Sequence, residues 1–165
     1  MNQGQGFALS IVLSFITWAL VARHYLWPVL SIQPGRAGFR PILLLHCLRF
    51  IGLGFIVPGV ASPELPRAFA APAAYGDLIA ALLALATLLV LETRIGLLLL
   101  WIFNLWGAGD LLFAYYQGRI GVGVVPGQLG AMYFVPTVVV PLLLVTHFLA
   151  FRMLLTRRAS SADRT

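Results

Sequence analysis

The chain contains no lysine, a single cysteine and few charged residues. All 11 basic residues are arginines, which excludes a Schiff-base lysine and with it a retinal-binding opsin. The lone Cys47 excludes an intramolecular disulfide, a redox-active cysteine pair and a cysteine-rich metal site. Charged residues make up 10% of the 165, against about a quarter in ordinary soluble domains. The composition therefore excludes a large soluble domain.

Apolar sequence dominates what is present, at 61% of all residues. A helix that crosses a membrane needs about 20 consecutive, mostly apolar residues, and five stretches approach that length. We predict an all-α, polytopic membrane helix bundle of about five transmembrane helices, with a single domain over residues 1–155 and a disordered, basic cytoplasmic tail over 156–165. The predicted segments are about 7–22, 41–60, 75–91, 96–116 and 131–155.

The arginines are distributed unevenly between the two sides of such a bundle. With five passes, eight arginines fall on one side and only Arg67 and Arg119 on the other. The positive-inside rule then predicts an external N-terminus and a cytoplasmic C-terminus in a bacterial inner membrane. Because these arginines lie at segment ends, the net charge of +6 does not indicate nucleic-acid binding. The eight are Arg23, Arg36, Arg40, Arg94, Arg152, Arg157, Arg158 and Arg164.

The first segment and the external loops have distinctive compositions. No arginine precedes the first segment and no clean cleavage site precedes Arg23, so we expect a retained helix rather than a signal peptide. The loops at 57–66 and 117–127 are rich in proline and glycine yet still apolar. We expect both loops to lie against the membrane face or to fold back over the helix ends.

Six polar side chains inside the apolar segments are the candidate ligand-binding residues, because each is costly in lipid and needs a partner. Asp110 follows the small residues of the run 107–109, which let another helix approach closely, so we predict it as the counter-ion of Arg49. Asp77 is the second candidate. His46 and Arg49 are three residues apart and should share a helix face. The six are His46, Arg49, Asp77, Asn104, Asp110 and His147.

The depth of these residues follows from counting about 1.5 Å per helical residue. His46, Asn104 and His147 should lie at similar depth in the cytoplasmic half, on three different helices. We therefore predict that they converge on a cavity that opens toward the cytoplasm. The same count places Arg49 near the middle of the membrane and Asp77 near its outer face.

Several functions fit this pattern, and the sequence assigns no reaction. The first is binding of a small, partly apolar ligand, a quinone or a lipid-like molecule. The second is electron transfer through a haem held between His46 and His147. A structural or accessory subunit without a ligand, and a proton-linked role for Asp77 and Asp110, remain open. The bilayer is the expected partner, and an oligomer is open as well.

The run from Leu48 to about Tyr116 resembles the DoxX-type small bacterial membrane proteins. The shared features are Leu48-Arg49, Gly52-Leu53-Gly54-Phe55 and Pro58-Gly59, then a loop ending Ala70-Ala71-Pro72-Ala73 and a hairpin of two apolar helices. The resemblance implies a four-helix core, and some members of that family are linked to quinone or thiol oxidation. The chain departs from the family pattern at Asp77, because the family's acidic residue tends to lie deeper in the helix after the loop.

The arginine distribution leads to a test of orientation. Reporter fusions after Arg40 and after Arg158 should read cytoplasmic, and a fusion after Pro66 should read external, because arginine-rich loops are retained inside. Reporter activity in intact cells measures this directly. Reversal at two of the three positions would contradict the five-pass orientation.

Overall fold

The computed structural model describes residues 1–162, and the regular elements in that range are helices, which confirms the all-α prediction. Five helical spans are long and apolar enough to cross a membrane. The last helix continues to Ala162, and the end of the predicted tail, 163–165, lies outside the described residues, so disorder of the tail stays a prediction. Spans 1 to 5 are Gln3–Ser31, Ala37–Ile56, Arg67–Leu89, Arg94–Gly121 and Val135–Thr156.

Each span combines α-helix with tighter or wider turns, except span 3, which is α-helical throughout. The α-helices are α1 Gln3–Val21, α2 Trp27–Ser31, α3 Arg40–Cys47, α4 Arg67–Leu89, α5 Arg94–Tyr116 and α6 Val140–Ala162. The 3-10 helices are Ala37–Phe39, Leu48–Ile56 and Pro126–Tyr133, and the π-helical turns are Ala22–Leu26, Gln117–Gly121 and Val135–Val139.

Span 3 begins earlier than the sequence analysis predicts. Helix α4 starts at Arg67 rather than near residue 75, and it includes Pro72 in its second turn. The alanines on both sides of this proline favour a helix, and Ala70, Ala73 and Ala74 are buried against the bundle. Asp77 is therefore about 15 Å into the helix, near its middle. The expectation that Asp77 lies near the outer face is wrong, because Pro72 lies inside helix α4 and does not end the preceding loop.

Helix α4 lies at the centre of the bundle, and α1 at its edge. Helix α4 packs against α3, the 3-10 helix Leu48–Ile56 and α5. Helix α1 has no buried residue and rests on span 5, where the Trp18 indole Nε1 donates to the Val138 carbonyl at 3.1 Å. The polar residues of spans 2, 3 and 4 consequently face one another inside the bundle, whereas span 1 contributes mostly an apolar wall.

The apolar loop at 57–66 binds the 3-10 helix Pro126–Tyr133, which follows the loop at 117–127, across one end of the bundle. The Ser62 amide donates to the Gln128 carbonyl at 3.1 Å, and the Ala131 amide donates to the Val60 carbonyl at 2.9 Å. Gly130 has a φ of 55°, and a Cβ atom there would lie 2.6 Å from the Val60 oxygen, so only glycine fits this close approach. The loops thus fold over the helix ends, at the end of the bundle that carries the N-terminus.

Candidate functional site

Arg49 is positioned by a change of helix type in span 2. The chain passes from α3 into the 3-10 helix at Leu48, and a 3-10 helix has three residues per turn. Arg49, Gly52 and Phe55 therefore fall on one stripe, and all three are buried. His46, in the last turn of α3, is also fully buried. The prediction that His46 and Arg49 face the bundle interior is confirmed.

The Arg49 guanidinium binds two carboxylates, each from a different helix. Its Nε donates to Asp77 Oδ1 at 2.7 Å, and its Nη2 donates to Asp110 Oδ2 at 2.6 Å. Its Nη1 donates to the Gly107 carbonyl at 3.1 Å. The sequence analysis treats Asp110 and Asp77 as alternatives, whereas the structure uses both. One arginine thereby joins spans 2, 3 and 4.

The formal charges of this cluster do not balance. Two carboxylates face one guanidinium, and the side chain of Arg49 is only 1% exposed. The cluster therefore either carries one net negative charge or holds one proton. Asp110 is the more accessible acid, with 14% of its side chain exposed against 9% for Asp77. An uncompensated charge at this depth favours contact with a cation or with a hydrogen-bond donor.

Glycines provide the space for these side chains. A Cβ atom at Gly52 would overlap the Asp77 carboxylate, and one at Gly76 would overlap the Asp110 carboxylate. A Cβ atom at Gly107 would lie 2.5 Å from the His147 ring. Each glycine thus lies on one helix and receives a polar side chain from the next. From the sequence, the small residues at 107–109 indicate only a close approach of another helix, whereas in the structure Gly107 also makes room for the His147 ring.

The two histidines form a second polar cluster, directly beside the first. The His46 and His147 ring centroids are 4.2 Å apart, and Phe103 packs 5.1 Å from each of them. His46 Nε2 lies 2.9 Å from Thr146 Oγ1, and His147 Nδ1 lies 2.7 Å from Asn104 Oδ1. The predicted convergence of His46, Asn104 and His147 is therefore observed.

These hydrogen bonds are compatible with one tautomer of each ring. The Thr146 hydroxyl lies 3.0 Å and 2.9 Å from the Leu142 and Leu143 carbonyls, and when it donates to one of them its oxygen accepts from His46 Nε2–H. The Asn104 amide donates to the His147 carbonyl, and its oxygen accepts from His147 Nδ1–H. His46 Nδ1 and His147 Nε2 are left as bare acceptors, without a hydrogen-bond partner within residues 1–162.

The histidine cluster is packed and lines none of the cavities described below. The predicted cavity opening toward the cytoplasm is not among them and stays a prediction, and the Phe103 ring packs against both histidine rings. Haem iron does not fit between the two rings as they stand. With Fe–N bonds of about 2 Å, the centroids of two axial imidazoles would lie roughly 6 Å apart, well beyond the observed 4.2 Å.

A cavity of about 470 Å³ lies on the opposite side of the ion cluster, toward the N-terminal end of the bundle. Asp77 and Asp110 form its polar floor, and Arg119 lies among its lining residues near the loops. The candidate residues from the sequence do not include the apolar residues that line this cavity. The apolar composition of the loop at 117–127 is the one feature of the sequence that indicates them. The apolar side chains that line the cavity include Phe7, Ile11, Phe55, Phe69, Leu111, Ala114, Tyr115, Val124, Leu129, Val135, Pro136 and Val140.

The six predicted site residues thus divide into three groups. Asp77 and Asp110 line the cavity, and Arg49 donates hydrogen bonds to both of them. The remaining three, His46, Asn104 and His147, are packed in the interior.

Comparison with known proteins yields one family. The family model described as a domain of unknown function (DUF8737) matches residues 6–155. No curated protein and no solved structure matches the chain. The family description assigns no activity, so the function has to be inferred from the site itself.

The ion cluster predicts unequal effects of removing its members. Arg49→Leu leaves two buried carboxylates without a cation and should lower the free energy of unfolding by about 3–5 kcal/mol. Asp110→Asn should cost less, because Asp77 still neutralises Arg49. Unfolding in detergent measures both, with the exposed Arg94→Leu as control. The triple variant combines Arg49→Leu, Asp77→Asn and Asp110→Asn, and its loss of unfolding free energy should be smaller than that of Arg49→Leu alone. Strictly additive losses would show that the three side chains do not interact.

The glycine contacts predict a pair of matched substitutions. Gly76→Ala should lower the free energy of unfolding by about 1–3 kcal/mol, because the new methyl group displaces the Asp110 carboxylate. Gly109→Ala is the control, since a Cβ atom there meets no atom within 4 Å, and it should be neutral or slightly stabilising. The loss at Gly76 should shrink in an Asp110→Ala background. Equal losses for both glycines would show that the contact is unimportant.

Proposed function

We propose that this chain, which belongs to the DUF8737 family, is a membrane protein that binds a small, partly apolar ligand. The head group of this ligand donates a hydrogen bond, as in a quinol or a lipid-like molecule. The observation that carries the proposal is the floor of the 470 Å³ cavity, where Asp77 and Asp110 lie beneath apolar walls. The proposal concerns binding and assigns no reaction.

The floor selects the head group of the ligand. Arg49 directs three of its five N–H donors at the two carboxylates and the Gly107 carbonyl and is not among the lining residues, so the floor offers carboxylate acceptors. When both acids are ionised, two acids against one base also leave one negative charge in excess. A hydroxyl group on an aromatic ring, as in a quinol, donates to such an oxygen, whereas a quinone carbonyl needs a protonated carboxyl. We therefore expect the reduced form to bind more tightly than the oxidised form.

The walls select the body of the ligand. Ligand cavities usually measure 300–1,000 Å³ and combine apolar walls with a few polar groups, and this one fits that description. Phe55 and Phe69 contact each other edge to face at 5.5 Å on one wall. Tyr115 donates to the Pro136 carbonyl at 2.6 Å, so its hydroxyl is already engaged and its ring serves as wall. An aromatic or isoprenoid body would displace little bound water here.

The location follows from the orientation that the arginines predict. With an external N-terminus in a bacterial inner membrane, the cavity lies in the outer half of the bilayer, because it is lined by the start of α1 and by residues of the loop after span 4. A ligand that partitions into the bilayer would reach it from the apolar phase.

The test uses decyl-ubiquinol as the probe and thermal stability of the purified protein as the readout. Saturating decyl-ubiquinol should raise the unfolding temperature, because a ligand that binds only the folded state stabilises it. The oxidised quinone should raise it less. Asp110→Asn should reduce the effect of the quinol, and Ala114→Leu should abolish it by filling the cavity.

Ala86→Leu is the matched control, because Ala86 is exposed on α4 and lines none of the described cavities. It should retain the full response to the quinol. Equal stabilisation of wild type and Ala114→Leu would show that the probe binds elsewhere. No stabilisation by quinol, quinone or extracted membrane lipid would instead favour a structural or accessory subunit, which would co-purify with a larger partner.

A further inference from the structure

A second cavity, distinct from the proposed ligand site, lies at the opposite end of the bundle. It has a volume of about 650 Å³ and runs between span 1 and span 5. Its walls are apolar, and the arginines Arg23 and Arg152 are its two charged lining residues among those described. We propose that this groove binds an anionic phospholipid, with an acyl chain along the walls and the phosphate between the two arginines.

The level of the two arginines in the bilayer supports a lipid. About 20 helical residues cross the hydrocarbon, and counting from Gln3 reaches Ala22, so Arg23 begins the part of span 1 that lies at the head groups. Arg152 is the eighteenth residue of span 5, counted from Val135, and reaches the same level from its partner span. Both arginines therefore lie where a phosphate is found, above a groove that lies where acyl chains are found.

Among the side chains that the structure describes, residues 1–156, none neutralises the charges at this level. Arg23 and Arg152 are both exposed, and neither forms an ion pair within that range. The Arg152 guanidinium lies 3.7 Å from the Trp27 ring centroid, which fixes its position without neutralising it. Guanidinium groups bind phosphate oxygens through paired hydrogen bonds, and two of them favour a lipid with net negative charge over a zwitterionic one.

A local change of backbone geometry coincides with the groove. The π-helical turn Ala22–Leu26 interrupts span 1 where Ala22 and Arg23 line the cavity. Such single turns inside α-helices recur at functional sites. Ala19 and Ala22 are the small residues of the wall, and the aromatic rings of Phe15 and Phe148 lie among the lining residues. The groove therefore has room for a chain between two helices that otherwise pack through larger side chains.

Native mass spectrometry of the full chain, released from detergent with added lipid, tests the proposal. Phosphatidylglycerol and phosphatidylcholine with identical acyl chains are the probes. Wild type should retain phosphatidylglycerol in preference to phosphatidylcholine. Arg23→Gln and Arg152→Gln should each lower the affinity for phosphatidylglycerol by about fivefold. The double variant should lose the preference.

Two further variants separate the head-group contact from non-specific effects. Arg94→Gln removes an exposed arginine on the same predicted side, outside the groove, and should leave the preference intact. Ala19→Phe fills the groove while keeping both arginines, so it should weaken phosphatidylglycerol binding as well. Unfolding temperatures of all variants confirm that each is folded.

Four results would overturn the proposal. Equal retention of the two lipids would remove the charge recognition, and an equal loss for Arg94→Gln would reduce it to general electrostatics. Displacement of the lipid by millimolar inorganic phosphate, with Ala19→Phe binding normally, would show that the acyl chain contributes nothing. A dimer without lipid adducts would assign the groove to a second copy of the chain.

Discussion

The buried guanidinium of Arg49 is the interaction on which the bundle depends. A charge at mid-depth in a membrane is stable only when opposite charges and hydrogen-bond acceptors surround it. Here the acceptors come from α4 and α5, so neutralising one side chain holds three spans in register. The change to 3-10 geometry at Leu48 and the placement of glycines both serve this arrangement. Removing the arginine would leave the two acids to repel each other in the core.

The cavity and the histidine cluster lie on opposite sides of the ion cluster formed by Arg49, Asp77 and Asp110. Toward the N-terminal end, the Asp77 and Asp110 carboxylates line the cavity, whose other walls are mostly apolar. On the other side, His147 packs against Gly107, and its partners Asn104 and His46 complete a filled layer. A single ion cluster thus separates an open cavity from a packed layer of side chains.

The sequence predicts much of this structure, and the parts it does not predict have identifiable reasons. Hydrophobic runs predict the five spans, and the cost of polar groups in lipid identifies all six residues of the two clusters. The start of span 3 was misplaced because Pro72 looks like a loop residue, although the flanking alanines keep it helical. Whether a polar cluster encloses a cavity depends on packing, and no residue spacing predicted that Phe103 fills that layer. The cavity that does exist is lined by residues of all five spans and of the segment between spans 4 and 5, which lie far apart in the chain.

The long 3-10 helix of span 2 also determines how far that span reaches. A 3-10 helix rises about 2.0 Å per residue against about 1.5 Å in an α-helix, so the nine residues Leu48–Ile56 gain about 4.5 Å. The shortest span, with 20 residues, can thereby match the length of the 23-residue α4. Rewinding this segment into an α-helix would shorten it and rotate Phe55 about a third of a turn away from Arg49. The length of span 2 is thus connected to the position of Phe55 in the wall of the 470 Å³ cavity.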